Sequence, residues 1–261
     1  MKRIYIVVDM EGISGVRLAE QCACDTPAWR EARPWIASDV NAAVSGAFSA
    51  GAEEVVVCDA HARGNNLPLD LIDPRVLLEE AFEHQLLPGI SEEFAGIFVV
   101  GAHARAGTPA AFQDHTWNQE SWYRFTLAGD QCGEIGMWAA YAGHFSVPLL
   151  MVTGDAAACR EAEDFVPGVQ AVAVKEAICR DRARTIHPRA AVNLIASAAE
   201  QSVKRVSGIE PARVDLPNEV EVEYTKTEFA DEAARRIGAE RVDSRTVKRE
   251  LGSTLDLIKG F

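Results

Sequence analysis

Five apolar residues run unbroken from Ile4 to Val8, and the same texture returns in EEVVVCDAH at 53–61, FAGIFVVGAH at 94–103 and VPLLMVTGD at 147–155. Short runs with no polar side predict strands buried on both faces. Between the first two the period lengthens: Ile36, Val40, Val44 and Phe48 fall four apart, which predicts a helix from Pro34 to Ala50 stopped at Gly51. Further helices are predicted around Glu79 to Leu87, from Glu134 to Phe145 and from Ala156 to Val166, and a further strand at Val169 to Val174. The segment WYRFTLAG, 122–129, alternates and predicts a strand at an edge or with one exposed face. Buried strands divided by helices predict an α/β fold, a mostly parallel sheet flanked by helices on both faces.

Beyond residue 180 the pattern changes. A helix is predicted over 187–203, with Pro188 in its first turn, then a half-exposed strand over 219–226, an amphipathic helix over 228–238 and a short apolar helix at the tail. This predicts a catalytic α/β domain over 1–180 and a smaller C-terminal α+β lobe over 181–261, which either stands apart or extends the sheet and offers an oligomer contact.

Composition narrows the function classes. The net charge is −13, with hydrophobic residues at 48% and charged residues at 25%, so the chain is an ordinary globular sequence that repels phosphate backbones and anionic lipid. No nucleic-acid partner and no membrane role is expected. Acids interrupt the first apolar run at Asp9, so the start reads as a strand and not as a signal peptide, and no apolar stretch reaches the roughly 20 residues of a membrane span. The six cysteines are scattered apart from Cys22 and Cys24, which predicts reduced thiols, a cytoplasmic protein and a plain loop at 22–24.

The chemistry lies at the strand ends. Asp9 and Glu11 follow the first strand, Asp59 and His61 the second, His103 the third. The carboxyl ends of parallel strands point the same way, so these side chains converge on one crevice. Residues two apart on an extended backbone also share a side. Two carboxylates at a buried strand end repel each other and lose hydration, and neutral imidazoles bring no compensating charge. A divalent cation does. Mixed carboxylate and imidazole donors suit zinc, or failing that manganese, iron or cobalt. Two metals sharing a carboxylate would use Asp9, Glu11, His61 and His103 and require one more acid. Glu134, between Gly133 and Gly136, is the best placed; an acid complementing a helix start explains it equally well from spacing alone. Asp59 is expected to accept a proton from a ligand imidazole, Arg63 and Arg105 to pair with neighbouring acids or hold a substrate carboxylate, and Asn65 and Asn66 to form turns.

Together VDMEGISG at 8–15, DAHARGNN at 59–66, GAHARAGTP at 101–109, QDHTW at 113–117 and GEIG at 133–136 resemble the D-aminopeptidase family, the M55 peptidases. TGD at 153–155, followed by an acidic helix, is also similar. The resemblance implies two zinc ions per chain, Asp9 bridging them, Glu11, His61, His103 and Glu134 as the other ligands, and His115 as the catalytic residue. It also implies a ring-forming homo-oligomer, a decamer of two pentameric rings in the founding example. The segment from Ala110 to Trp117 and the pair Met137-Trp138 depart from that example, so metal binding transfers more directly than substrate preference.

The expected reaction is hydrolysis of the N-terminal residue of a short peptide, D-Ala-D-Ala among the candidates, by a metal-activated water. His115 then acts as proton shuttle or oxyanion stabiliser. A metal-dependent hydrolase of another amide or of a phosphoester is the alternative on the same ligands, although only Arg63 and Arg105 are near to clamp a phosphate. A nucleotide-binding module fits worst, because DMEGISG lacks the G-x-G-x-x-G spacing and carries acids where phosphates would sit.

Overall fold

The computed structural model describes residues 2–81 and 85–261. Its main sheet orders seven strands as β3-β2-β1-β4-β7-β8-β9. These are β1 (Arg3–Val8), β2 (Glu54–Asp59), β3 (Leu77–Glu80), β4 (Phe94–Ala102), β7 (Leu149–Asp155), β8 (Gln170–Cys179) and β9 (Arg182–Thr185). Pairing is parallel except between β8 and β9. The predicted apolar strands are therefore the central ones, and Ile4 to Val8 have no exposed surface.

Helix α1 (Pro27–Ser49) carries the chain from β1 to β2, and α3 (Ala156–Phe165) carries it from β7 to β8, in opposite directions along the sheet. Right-handed crossovers put them on opposite faces. Helix α2 (Glu134–His144) packs beside α3, and α4 (Pro188–Lys204) lies along α1, close enough that a Cβ on Gly46 would come within 2.3 Å of the Ala196 carbonyl. Helix α1 starts earlier than its apolar period suggests, because Thr26 caps it by accepting the Trp29 N–H at 3.0 Å and Pro27 fits the first turn. Pro34 is accommodated inside it.

A second, antiparallel sheet has the order β11-β12-β10-β5-β6, from β5 (Trp122–Leu127), β6 (Asp130–Gln131), β10 (Asn218–Tyr224), β11 (Ala239–Arg241) and β12 (Thr246–Leu251). Helix α5 (Thr227–Ala233) packs against β10 and β12. The layers do not divide at residue 180: β5 and β6 belong with the C-terminal strands, while β9 and α4 belong with the main sheet. The helix predicted around Glu79 to Leu87 is corrected at its start, where Glu79 and Glu80 end β3 in parallel register with Cys58 and Asp59. Residues 82–84 of that segment, with His84, lie outside the described residues, and 85–87 beyond them are not helical. The tail is the strand β12 followed by one helical turn at Thr254–Asp256.

The order reverses between β1 and β4: the chain runs outward from β1 to β2 and β3, returns to β4 on the other side of β1 and runs outward again to β7 and β8, and such a switch point opens a crevice at the carboxyl ends. Two glycines close the backbones together there. A Cβ on Gly12 would sit 2.2 Å from the Ala102 carbonyl, and one on Gly101, at φ +88°, 2.1 Å from the Asp9 carbonyl. Gly12 donates to the Gly101 carbonyl at 2.7 Å and Asp9 to that of Val100 at 2.9 Å. That contact sets the acids of β1 beside the histidine of β4.

Candidate metal centre

The five residues expected as ligands meet in that crevice, and His115 joins them. Asp9, Glu11, His61 and His103 are all at least nine-tenths buried. Asp9 stands at the middle with its two oxygens turned apart. Oδ1 lies 3.1 Å from His61 Nδ1, and Oδ2 lies 3.4 Å from His103 Nε2. His61 Nδ1 is also 3.1 Å from Glu11 Oε2, and His103 Nε2 is 3.4 Å from Glu134 Oε1. Asp9, Glu11 and His61 form one group with converging donor atoms; His103, His115 and Glu134 form another.

Hydrogen bonds on the far side of each ring decide what faces the crevice. His61 Nε2 lies 2.8 Å from the Cys22 carbonyl and His103 Nδ1 3.0 Å from that of Ala104. A carbonyl only accepts, so those nitrogens carry the hydrogens and the opposite ones, His61 Nδ1 and His103 Nε2, point electron pairs at carboxylates. Lone pair against lone pair requires a positive charge between them, whether a proton or a metal ion. Burial, the largest influence on both rings, disfavours their charged forms, yet Glu11 and Asp9 around His61, and Glu134 and Asp9 around His103, outweigh it and hold both well above the usual histidine range. Burial and then the Glu11 charge push Asp9 up to about 7. Glu134 is pulled down to about 2, because His103 overcomes the upward push of burial.

A metal ion fits these residues on a second count. Asp9 Oδ2 and Glu11 Oε2 are buried and have no hydrogen-bond partner among the described residues. Orphaned carboxylate oxygens are costly, and here both belong to the converging groups. The donor set, carboxylate oxygen with imidazole nitrogen, is one that zinc accepts.

The loops around the centre are strongly tethered. Gln113 and Trp117, on either side of His115, hold the left-handed region at φ +51° and +60°. The Trp117 N–H donates to Glu134 Oε1 at 2.7 Å, and His115 Nδ1 faces the Gln113 carbonyl at 2.8 Å, which leaves His115 Nε2 toward the crevice, 3.8 Å from Glu134 Oε1. Burial and the charge of His103 lower the His115 pKa.

Asp59 does not touch the His61 ring. It accepts the Asn66 N–H at 2.6 Å, the Asn66 side-chain amide at 2.9 Å and the His61 backbone N–H at 3.3 Å, so it shapes the loop that carries the histidine. The ring is oriented by the Cys22 carbonyl, a group no sequence motif marks. Asn65 holds the left-handed region at φ +62°, just after the turn at 62–63. Asn66 is fully buried, also bonds the His61 carbonyl and accepts the Trp29 indole N–H at 2.9 Å. Arg105 turns to Glu161, whose carboxylate also accepts the Arg105 N–H at 2.7 Å, and Arg63 stays exposed. Cys58 and Cys132 are buried and their thiols are pushed up by burial, Cys58 to about 12, so they pack as small apolar groups.

Above the centre lies a cavity of about 720 Å³. Asp9, Glu11, Glu20 and Glu134 line it, with no lysine or arginine among the described residues of its wall. Of these acids only Glu20 lies outside the expected ligand set. No helix among the described residues is long and apolar enough to cross a membrane.

The family model described as peptidase M55, D-aminopeptidase, matches residues 1–261. The D-aminopeptidase of Bacillus subtilis (strain 168) is 30% identical over 213 residues, 80% of this chain and 76% of that protein. A solved structure described as the Zn-dependent D-aminopeptidase DppA from Bacillus subtilis, a self-compartmentalizing protease, superposes with a TM-score of 0.94 at 27% identity, covering 99% of this chain and 94% of that one.

Proposed function

The chain belongs to the M55 peptidases, the D-aminopeptidase family, and on that footing we propose that it is a two-zinc aminopeptidase that removes the N-terminal residue from short peptides, D-configured residues among them. The observation that carries this reading is Asp9, whose two oxygens face two separate histidines, each completed by its own glutamate. Glu11 and His61 would hold one ion and His103 and Glu134 the other, with Asp9 shared. Zinc at such a pair supplies positive charge that polarises a carbonyl and lowers the pKa of water.

The protein's own groups do the rest. Glu20, the acid of the cavity wall that is not an expected ligand, is placed to pair with the free amino terminus of the peptide, and the buried floor keeps competing water away. His115 Nε2, with Nδ1 committed to Gln113 and its pKa lowered, is a neutral acceptor that takes a proton from the attacking water and returns it to the leaving amine. A second reading has a specific observation behind it: the nearness of His115 Nε2 to Glu134 Oε1 would make His115 a fourth protein ligand of that ion, beside Asp9, His103 and Glu134. Phosphoester hydrolysis is disfavoured because no lysine or arginine among the described residues of the wall clamps a phosphate.

The description of DppA as self-compartmentalizing supports a homo-oligomer here; its form as a decamer of two pentameric rings follows the family resemblance alone and is part of the proposal. Six free thiols fit a reducing cytoplasm. Metal analysis of the purified protein, combined with turnover of paired D- and L-alanyl dipeptides, tests the proposal. About two zinc ions per chain and cleavage of the D-alanyl dipeptide are expected. Cleavage of phosphate esters with neither dipeptide turned over defeats it.

A further inference from the structure

Glu11 poses a problem of placement. Its Oε2 meets the His61 imidazole at 3.1 Å, and among the described residues no further hydrogen-bond partner holds the carboxylate in that direction. Its direction must come from the backbone, and the loop from Glu11 to Val16 is held from below by three elements. Asp39 of α1 accepts the Ser14 N–H at 2.7 Å and the Ser14 hydroxyl at 2.6 Å. Thr185 of β9 accepts the Gly15 N–H at 3.0 Å. Lys175 of β8 donates its ammonium to the backbone carbonyls of Glu11 and of Val16, closing the loop across its neck.

Lys175 is only 4% exposed, and a lysine in that position is costly. Burial lowers its pKa to about 8, against the pull of Cys22, Asp39, Asp155 and Glu11. An apolar side chain would fill the volume without that cost but would leave both carbonyls unpaired. The same ammonium also lies 5.0 Å from the centroid of the Phe112 ring. Phe112 is fixed by its N–H to Asp155 Oδ2 at 3.1 Å and stands three residues before His115. Lys175 therefore touches both the loop that carries Glu11 and the loop that carries His115.

We infer that Lys175 is a positioning residue of the metal centre: its ammonium fixes the backbone that aims Glu11 at His61 and joins that loop to the one bearing His115. The inference rests on the reading that Glu11 and His61 hold a metal ion. It concerns one of the two ions, because no bond of Lys175 reaches His103 or Glu134.

The test is zinc affinity of the full-length protein, stripped and reloaded in competition with a chromophoric chelator, for wild type, Lys175→Met and Lys175→Gln. In Lys175→Met one zinc weakens by about tenfold to a hundredfold and the other is unchanged, the range for losing a group that orients a ligand. Lys175→Gln keeps amide donors for the two carbonyls, loses less, and serves where the methionine variant does not fold. A lysine that only stabilised the fold would lower the melting temperature of the stripped variants and leave both affinities as in wild type; that result overturns the inference. Wild-type protein that binds no zinc overturns the metal-centre reading itself, and the inference with it.

Discussion

The imidazole of His115 stacks on that of His103, with 3.8 Å between ring centroids and 14° between planes. The contact holds His115 at the edge of the candidate metal centre while its Nδ1 is bound to Gln113, so one nitrogen is left free. For His115→Ala we expect a fall in turnover of about 10²–10⁴, the usual contribution of a positioned proton carrier, with zinc content unchanged. Metal analysis beside the kinetics decides between the two roles, since loss of a zinc identifies a ligand.

Asp9→Asn removes the carboxylate that both groups share. Burial and Glu11 already disfavour its charge, so the metal-free fold should be as stable as wild type or more so. What disappears is the rise in melting temperature on adding zinc. Calorimetry of stripped and reloaded protein measures both; a stripped variant that no longer folds would contradict this account.

Removing the metal should be easiest in acid. In the metal-free protein His61 and His103 keep protons well above the ordinary histidine range, and zinc must displace them. The metal-free state thus binds more protons, so apparent zinc affinity rises with pH through neutrality and falls toward pH 5. Chelator competition at several pH values, with proton release followed by calorimetry, reads the sign directly.

Gly12 and Gly101 allow no side chain. Gly12→Ala would drive a methyl group into the Ala102 carbonyl, and Gly101→Ala adds an unfavourable φ to a clash with the Asp9 carbonyl. Each should cost about 1–3 kcal/mol in denaturant unfolding and weaken zinc binding, because the junction of β1 and β4 sets Asp9 beside His103. Unchanged zinc affinity in a destabilised Gly12→Ala would separate the junction from the site.

Much of this molecule was written in its order of residues. Apolar runs such as Ile4 to Val8 had to be central strands, since nothing else buries both faces of a short extended segment. Parallel strands then oblige Asp9, Glu11, His61 and His103 to meet, because their shared direction brings carboxyl ends to one side. Tertiary structure alone decided the remainder. The Cys22 carbonyl that orients His61 is a backbone atom, and every residue has one, so no spelling marks it. Asp59 turned to Asn66 and not to the imidazole, a choice set by how the 61–66 loop closes. The pairing of β5 with β10 joins segments nearly a hundred residues apart and places β5 with the C-terminal strands. Lys175 left one trace, a charge inside the apolar run AVAVKE, but what it holds lies across the sheet. Local pattern settles which faces are buried; which partners meet on those faces depends on long-range closure, and the candidate metal centre is built from both.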